Sequence, residues 1–292
     1  MLSADQINQF REQGYLVCRS GLSQDAIAAL LSQLDDWIAD SRGHDTNYES
    51  TMDGKARFDL EPGHTAEHPK LRRVANPADI SPAYQQVLWD SPITDMVADL
   101  IGPSIKFHHC KLNIKLPGMT TEVRYHQDHP FDPHTNDDML AMLLLDDMSE
   151  ANGCLKIVPG SHGERYTHDR DGKFVGEIDP AMYPEFDRRA TPIIGQTGDV
   201  CFMHTWAVHG SESNRSPVPR RLLICDYTAA DAFPLTAPVV PSCHTGRLLR
   251  GTPTRTARLV AMTIELNEPY AEDSFFGIQG DKGMANASQR PR

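Results

Sequence analysis

The hydrophobic pattern of the chain changes near residue 103, from helical spacing before this point to short strand-like runs after it. Ser3 can cap a helix that reaches about residue 12, and Ser23 can cap a longer one. In the longer helix, apolar residues recur at intervals of three and four, which indicates one buried face. That face consists of Ile27, Leu30, Leu31, Leu34, Trp37 and Ile38. Further helices are predicted at about 82–89 and 92–100.

After residue 103 the pattern is typical of a β domain. Turn signals such as Pro117-Gly118 and Asn152-Gly153 separate short apolar runs. The predicted strands are 104–116, 122–128, 139–146, 154–158, 199–208 and 220–228. Strands that follow helices without regular alternation favour an antiparallel architecture over a βαβ sheet. We therefore expect a mainly β fold, a cupin-like double-sheet jelly roll with the N-terminal helices packed outside and a ligand site between its sheets.

Two polar insertions and a polar tail complete the predicted organisation. Residues 41–77 are rich in polar residues, glycine and proline, and we favour a flap over the pocket. Residues 163–197 are expected to leave the sheet at the pocket mouth. The tail beyond Tyr270 is polar and is expected to be partly mobile. We expect one domain over 1–292, with a helical part at about 1–102, a jelly-roll core at about 103–235 and a C-terminal extension at about 236–292.

Composition narrows the possible partners. A net charge of −12 argues against a nucleic-acid or anionic-membrane surface, since such surfaces need clustered lysine and arginine. The six cysteines form no C-x-x-C pair, so reduced thiols are expected. The N-terminus has no signal-peptide pattern, and no stretch approaches 18 apolar residues. We expect a cytoplasmic protein with a small-molecule substrate, no nucleic-acid or membrane partner, and an oligomeric state that the sequence does not indicate.

The first candidate for chemistry is the pair His126 and Asp128. In a strand, residues two apart emerge on the same face, so one strand can present an imidazole and a carboxylate together. A non-haem Fe(II) oxygenase takes this ligand pair from one strand and a second histidine from elsewhere. Alone the spacing is weak evidence, because the chain holds 13 histidines and 40 acidic residues.

Two histidines could complete the ligand set. His209 stands at a strand end beside Gly210, where the backbone can open toward a metal. His204 lies within the strand and faces the opposite way, and a histidine satisfied in or behind the sheet is the simpler interpretation of it. We choose His209.

Eleven residues beyond His209, Arg220 begins a strand whose inward neighbours Leu222 and Ile224 are apolar. A guanidinium on such a face favours a carboxylate partner, and its fork of donors suits a dicarboxylate co-substrate. Ser211 can add a hydroxyl hydrogen bond. The alternative is that Arg220 or Arg221 forms a salt bridge with a surface acid.

The chain resembles the phytanoyl-CoA dioxygenase family of Fe(II)- and 2-oxoglutarate-dependent oxygenases over roughly residues 8–235. The resemblance is carried by His126-x-Asp128, Asn152-Gly153-Cys154-Leu155 with Pro159-Gly160-Ser161-His162, His209-Gly210-Ser211 and Arg220. It implies a double-stranded β-helix and iron held by His126, Asp128 and His209. It also implies that 2-oxoglutarate meets Arg220 and Ser211 and that Lys111 and Asn113 touch 2-oxoglutarate or substrate. Within the family the chain is most similar to hydroxylases of the 2-aminoethylphosphonate dioxygenase type and, more distantly, the ectoine hydroxylase type.

Basic residues on the inward face suggest the class of substrate. Arg124 lies two positions before His126, and Lys111 and Lys115 can also point inward. Cations beside an iron site in an acidic protein suggest an anionic group on the substrate, although an internal ion pair is an equal alternative. The acids available for such a pair are Asp132, Asp137 and Asp138. At the substrate we expect Arg124, Lys115 and Asp132.

These observations predict an Fe(II)- and 2-oxoglutarate-dependent dioxygenase that uses O2 and releases succinate and CO2. We expect it to hydroxylate an unactivated C–H bond of a small anionic or zwitterionic metabolite, such as an aminophosphonate or amino acid. Because Asp128 is present, hydroxylation is expected and not chlorination. Two alternatives are a cupin-like metalloenzyme that does not use 2-oxoglutarate and a ligand-binding jelly roll without catalysis.

Overall fold

A computed structural model describes residues 1–136, 139–261, 263–264, 266 and 275–280, without the side chains of 139, 140 and 280. The helices are α1 (Ala4–Gln13), α2 (Gln24–Ser41), α3 (Pro82–Trp89), α4 (Pro92–Ile101), α5 (Tyr183–Arg189) and α6 (Phe275–Gly280). The first strands are β1 (Tyr15–Arg19), β2 (Tyr48–Ser50), β3 (Ala56–Leu60), β4 (Leu71–Ala75), β5 (Ile105–Lys115), β6 (Val123–His126), β7 (Met139–Leu144) and β8 (Lys156–Ile157). The remaining strands are β9 (Asp169–Arg170), β10 (Lys173–Phe174), β11 (Thr191–Pro192), β12 (Asp199–His204), β13 (His209–Ser211), β14 (Arg220–Ala229) and β15 (Leu248–Arg250).

Two antiparallel sheets form the core of the fold. The major sheet has the order β1-β12-β7-β14-β5-β4-β3-β2, and β15 also pairs with β5. The minor sheet has the order β11-β8-β13-β6, and β9 and β10 form a separate hairpin. Non-consecutive neighbours in both sheets are typical of a jelly roll. The predicted mainly β architecture with helices packed outside is therefore confirmed.

Alternation along β14 shows how the sheets bury the core. Leu223, Cys225 and Tyr227 lie on the outer face of the major sheet, in a hydrophobic cluster with the N-terminal helices. Leu222 and Ile224 lie on the inner face, in a second cluster with residues of the minor sheet. Each fully buried aliphatic side chain contributes about 1.5–3 kcal/mol, so the two faces together fix the register of this strand.

Residues 41–77 are strands and not a separate flap, although Lys55 and Arg73 of this segment line the pocket described below. The segment contains β2, β3 and β4, which extend the major sheet beside β5. Phe58 and Val74 are buried partners across β3 and β4. Charged residues hid this pattern, because Asp59 is buried in a 2.6 Å ion pair with Arg72 and Arg57 donates to the carbonyls of Ala75 and Asn76. The N-terminal 102 residues thus supply both helices and four strands of the major sheet.

The insertion at residues 163–197 does not lie at the mouth of the pocket described below. It packs on the outer face of the minor sheet, where Ile178 and Phe186 join a hydrophobic cluster with Tyr125 and Val208. Part of the tail is also ordered, since residues 275–280 form α6. The expectation of mobility also concerns residues 271–274 and 281–292, which lie outside the described residues.

The predicted strand 199–208 is two elements. β12 ends at His204 and pairs with β1 and β7 in the major sheet. After a turn, β13 begins at His209 and pairs with β6 and β8 in the minor sheet. The chain therefore crosses from one sheet to the other between the two candidate histidines. In the described part of the chain, no helix has the length and apolar character needed to cross a membrane.

Candidate active site

Three potential metal ligands converge where β6 and β13 meet. His126 and His209 are direct partners across these strands, and both side chains are buried. Asp128 Oδ1 lies 3.5 Å from His126 Nε2, and Asp128 Oδ2 lies 3.3 Å from His209 Nε2. One ligand atom from each residue lies within 4.8 Å of the others, which is close enough for a single ion.

Backbone carbonyls orient both imidazoles. His126 Nδ1 donates to the carbonyl of Arg124 at 2.9 Å, and His209 Nδ1 donates to that of Ala207 at 3.0 Å. Each Nδ1 must therefore carry the proton, because a carbonyl can only accept. Both Nε2 atoms are left with a lone pair directed at Asp128. A second interaction that fixes the tautomer in this way is the usual arrangement of a metal-binding histidine.

The electrostatics of this group favour a cation. Burial, together with the proximity of His126, lowers the pKa of His209 to about 4, so its imidazole is neutral at neutral pH. Burial raises the pKa of Asp128, but His209 and His126 outweigh that effect and hold it well below its usual range. No donor among the described residues forms a hydrogen bond with Asp128 Oδ2. Two lone pairs and a carboxylate that face one another fit a divalent metal, and two histidines with one carboxylate fit Fe(II) in particular.

Asp128 reaches this position from outside the strand. β6 ends at His126, and Asp128 precedes a 3₁₀ turn at His129–Phe131 with its N–H bonded to the Thr205 carbonyl at 2.8 Å. Gln127 points away, as predicted, and its side chain donates to the carbonyl of Trp206 at 2.6 Å. Behind it, the Gln127 N–H donates to His168 Nε2 at 2.8 Å. This backing, which the sequence did not indicate, fixes the turn between the two ligands.

The ligand group lies at the wall of one cavity between the two sheets, which we call the central pocket. The described side chains that give it charge or polarity include His109, Lys111, Asn113, Asp132, Arg220 and Asp226. Its apolar walls include Phe131, Met142, Leu155, Ile224, Phe275 and Phe276. A cavity with apolar walls and a few convergent polar groups is typical of a small-molecule site.

Arg220 is buried at one end of the central pocket. Its Nε donates to the Gly153 carbonyl at 3.0 Å and its Nη2 donates to Ser211 Oγ at 3.2 Å. No carboxylate of the described residues lies within 4.0 Å of this guanidinium, and burial lowers its pKa to about 10. An isolated buried cation is costly. It is therefore expected to meet an anion from outside the chain.

Lys115 reinforces this cationic end of the pocket. It lies directly opposite Arg220 across β5 and β14, and its Nζ donates to Ser211 Oγ at 2.8 Å and also to the Glu212 carbonyl. Burial and the nearby Arg220 lower its pKa well below the usual value. Because Ser211 Oγ accepts from both cations, its own proton remains available for a bound carboxylate. Lys115 thus lies behind Ser211 and not at the wall of the central pocket.

The alternative interpretation of a surface salt bridge applies to the next residue. Arg221 Nη2 lies 2.8 Å from Asp146 Oδ1, and Arg221 Nη1 lies 2.8 Å from Asp35 Oδ1. Alternation along β14 places Arg221 on the outer face of the sheet and Arg220 on the inner one. The two arginines therefore have different surroundings although they are adjacent in sequence.

Lys111 and Asn113 occupy the inner face of β5 between the two ends of the pocket. No described residue forms a hydrogen bond or ion pair with Lys111 Nζ, and Asn113 Oδ1 is buried without a partner. Both side chains therefore present unsatisfied polar atoms to the pocket. Lys111 is close enough to Asp128 and His209 to lower the pKa of both.

The structure corrects the expected position of Arg124. Its guanidinium contacts Glu177 at 3.0 Å and is 41% exposed, outside the central pocket. The reason is an irregularity in β6. His126 pairs with His209 and Val123 pairs with Ser211, so a separation of three residues on β6 faces a separation of two residues on β13. Such a bulge reverses the alternation, and Val123 takes the inward position.

Asp132 does lie at the pocket, but it also has an internal partner. Its Oδ2 accepts from His108 Nε2 at 2.5 Å, while its Oδ1 has no hydrogen-bond partner among the described residues. The expected internal pair with an inward cation takes another form, because Asp132 is bonded to a histidine and Arg124 pairs with Glu177. Asp137 and Asp138 lie outside the described residues.

His204 is not part of the ligand group. It stands on the major sheet, where its ring contacts Phe10 and His162 at centroid distances of 6.5 and 5.3 Å. The choice of His209 over His204 therefore agrees with the geometry.

Several pocket residues were missed by the sequence analysis. His109 and Asp226 are direct partners across β5 and β14 and extend the polar inner face beyond Lys111. Their spacing could have indicated this, since each lies two positions from a residue with a known inward direction. Phe275 and Phe276 come from α6, and no local pattern connects that segment with the pocket.

The close packing around Gly153, whose carbonyl accepts from Arg220, can be tested by substitution. Its φ is +73°, and an added Cβ would lie 2.4 Å from the Glu212 carbonyl oxygen. We expect Gly153→Ala to cost about 1–2 kcal/mol for the left-handed backbone and a further ~1–3 kcal/mol for the clash. Gly172→Ala is the matched control, because Gly172 has φ +71° and open space around it. Urea unfolding measures the difference, and equal losses for the two variants would contradict the clash.

A jelly roll that holds two histidines and a carboxylate beside an unpaired buried arginine defines a class, the non-haem Fe(II) oxygenases. Residues 10–222 match the family described as phytanoyl-CoA dioxygenase (PhyH). A probable alpha-ketoglutarate-dependent hypophosphite dioxygenase of Stutzerimonas stutzeri is 30% identical over 274 residues, 92% of this chain and 93% of that protein. The chain belongs to the phytanoyl-CoA dioxygenase family.

Other relatives are named for different activities. An ectoine dioxygenase of Bordetella parapertussis is 26% identical, with 79% of this chain and 76% of that protein covered. A methylphosphonate hydroxylase of Gimesia maris is 26% identical, with 78% and 81% covered. The crystal structure of EctD from S. alaskensis with bound Fe superposes with a TM-score of 0.67 at 23% identity, over 87% of this chain and 88% of that one, and supports the fold.

The protein is an Fe(II)- and 2-oxoglutarate-dependent dioxygenase, a hydroxylase of this family. The predicted family, enzyme class and cofactors are thereby confirmed. The two alternatives, a metalloenzyme that does not use 2-oxoglutarate and a jelly roll without catalysis, are excluded.

Proposed function

We propose that His126, Asp128 and His209 hold the iron and that Arg220 and Ser211 bind the distant carboxylate of 2-oxoglutarate, with Asn113 beside its chain. Two observations support this assignment. Ligand atoms of His126, Asp128 and His209 converge, and the Arg220 guanidinium bonds to Ser211 Oγ without a carboxylate partner among the described residues. His209 and Ser211 are two residues apart on β13, about 6.7 Å along a strand. This span suits a five-carbon diacid that reaches from the metal to Arg220.

When bound, ferrous iron and 2-oxoglutarate together reduce O2, release succinate and CO2, and deliver one oxygen atom to the substrate. The protein orients the reactants and excludes water. Asp128 and the two imidazoles would hold the metal at the wall of the central pocket, and the reactants would reach it from the pocket. Phe131, Met142 and Ile224 give that side apolar walls.

The substrate proposed here is a small anionic or zwitterionic metabolite, such as an aminophosphonate or an amino acid, oxidised at a C–H bond. The observation that carries this proposal is Lys111, whose ammonium faces the pocket near the ligand group without a partner among the described residues. The free Oδ1 of Asp132 can accept a hydrogen bond from an ammonium or hydroxyl group. The compounds for which the relatives are named, hypophosphite, methylphosphonate and ectoine, are also small and polar.

A substrate panel tests the proposal. The purified protein with Fe(II) and 2-oxoglutarate is incubated with 2-aminoethylphosphonate, methylphosphonate, hypophosphite, ectoine and several amino acids. We expect at least one compound to increase succinate formation and to yield one oxidised product per succinate. Stimulation by none of these compounds, or by hypophosphite alone, which has no C–H bond, would contradict the proposed substrate class and its oxidation at a C–H bond.

Lys111→Met separates substrate binding from 2-oxoglutarate binding. A charge-assisted hydrogen bond is worth about 1.5–3 kcal/mol, so we expect kcat/KM for an anionic substrate to fall roughly 10- to 150-fold. The Kd for 2-oxoglutarate is expected to change much less. Lys106→Met is the control, because Lys106 lies on the same strand but donates to the Ala232 carbonyl outside the pocket. A larger effect on the Kd for 2-oxoglutarate than on substrate kinetics would assign Lys111 to the co-substrate.

A further inference from the structure

The C-terminal helix α6 lies over the candidate iron ligands. The ring of Phe275 packs 4.7 Å from the ring of His126 and 5.3 Å from that of Phe131, measured between centroids. Phe276 is buried, and Arg72 lies over its ring at 4.9 Å. The family match ends at residue 222, so this cover is built from a segment outside the matched residues.

The contact surface beneath α6 is closely fitted. A Cβ on Gly176 would lie 3.0 Å from Ile278 Cγ2 and 3.1 Å from Phe131 Cζ. A side chain at this position would press on α6 and on the turn after Asp128, and the backbone φ of +67° also favours glycine. Helix α6 is therefore packed between the insertion and the candidate site.

Hydrogen bonds of the Gln279 side chain hold α6 in this position. The side chain is buried, its Oε1 accepts from the Arg124 N–H at 2.9 Å, and its Nε2 donates to the Gly176 carbonyl at 2.5 Å. The same Nε2 lies 3.5 Å from the Arg124 carbonyl. β6 is the edge strand of the minor sheet, so the amide satisfies edge backbone groups that would otherwise lack a strand partner.

This attachment meets the candidate iron site at one atom. The Arg124 carbonyl that Gln279 contacts is the acceptor that orients His126 Nδ1. Displacement of α6 would therefore remove the aromatic cover and disturb a group that fixes the imidazole. The two effects belong to different residues, Phe275 and Gln279, and can be separated by substitution.

We propose that Phe275 is a specificity-determining residue, the aromatic roof of the central pocket that limits substrate size and water access, and that Gln279 is the positioning residue that holds it closed. The roof favours compact substrates, because a longer chain extending from the metal position meets the Phe275 ring. The size limit rests on the proposed substrate class, whereas the closure does not.

The closure is tested without any substrate. The Fe(II)-loaded enzyme is mixed with the chelator ferrozine, and the rate of iron capture is followed by absorbance. We expect Phe275→Ala and Gln279→Leu each to accelerate iron capture roughly tenfold. This corresponds to a free-energy barrier to iron release that is lower by ~1.4 kcal/mol. Global unfolding in urea should stay close to wild type, since no described residue of α6 belongs to the hydrophobic clusters of the two sheets. Gln279→Glu, which keeps the acceptor for Arg124 but loses the donors, should give an intermediate rate.

Matched controls lie away from the pocket. Phe233→Ala removes a half-buried ring that packs under Lys106 Nζ, and Gln86→Leu removes an exposed amide on α3. Neither should alter iron capture. Equal capture rates for wild type, Phe275→Ala and Gln279→Leu would overturn the roof and its attachment.

The size limit is tested with methyl-, ethyl-, propyl- and butylphosphonate. We expect the preference of the wild type for the shorter compounds to shift toward the longer ones in Phe275→Ala by about tenfold in relative kcat/KM. An unchanged preference would overturn the specificity role. If neither the alkylphosphonates nor any compound of the substrate panel is oxidised by any variant while capture rates still differ, the proposed substrate class fails and the closure by Phe275 remains.

Discussion

Replacing Arg220 by leucine is expected to raise the Kd for 2-oxoglutarate roughly 30- to 4,000-fold while ferrous iron still binds. Loss of one partner from a buried hydrogen-bonded charge pair costs about 2–5 kcal/mol, which corresponds to this range. Anaerobic titration of the Fe(II) enzyme with 2-oxoglutarate, followed by the charge-transfer absorption of the complex, measures the change. Arg220→Lys should restore only part of the affinity, since an ammonium cannot reproduce the two-donor fork.

The same substitution should not weaken the fold. Arg220 is buried without a carboxylate partner among the described residues, so leucine removes a desolvated charge in the absence of co-substrate. We expect the free energy of unfolding of the protein without 2-oxoglutarate to be unchanged or higher. Arg221→Leu should behave in the opposite way, with lower stability from loss of the Asp146 pair and an unchanged Kd. An unaltered Kd for Arg220→Leu would place the co-substrate elsewhere.

Local alternation was sufficient to predict most of the candidate site. His209, Ser211 and Arg220 lie at strand positions whose direction follows from their immediate neighbours, and the structure brings them to one pocket. Asp128 reaches its place beyond the end of β6, but a two-residue spacing still directs it to the same side as His126. Side-chain directions therefore agree with the structure where the strands are regular.

Alternation failed where the backbone departs from it. The bulge in β6 places Val123 inward and Arg124 outward, a reversal that the sequence does not signal. The partner of Arg124, Glu177, lies 53 residues away in an insertion that had been expected at the pocket mouth. The inward direction predicted for Arg124 was therefore wrong, because neither the bulge nor the distant partner can be recognised from the local sequence.

Buried charges also concealed regular structure. Residues 41–77 suggested a flap because Arg57, Asp59 and Arg73 interrupt the apolar pattern, yet all three are buried on β3 and β4. The cover formed by α6 was missed for a related reason. Gln279 contacts Arg124 across 155 residues, and such long-range contacts leave no trace in local periodicity.

Removing either kind of proposed iron ligand should abolish activity through loss of metal. For His209→Ala and Asp128→Asn we expect Fe(II) affinity to fall more than roughly 100-fold, the upper effect for residues that only support a metal ligand. The reason is geometric, since each residue supplies one of three converging ligand atoms and the described residues add no fourth histidine, cysteine or carboxylate ligand to this group. Iron content after gel filtration and succinate formation with saturating 2-oxoglutarate measure the two consequences.

Two controls separate ligation from simple proximity. His204→Ala removes the other histidine of the 199–209 segment, which lies on the major sheet against Phe10, and should retain iron. Asp132→Asn removes the charge of a second carboxylate at the central pocket, which is bonded to His108, and should also retain iron. Iron retained by His209→Ala but lost by His204→Ala would reverse the assignment. Because β12 and β13 belong to different sheets, the iron content of these two variants identifies which sheet carries the metal.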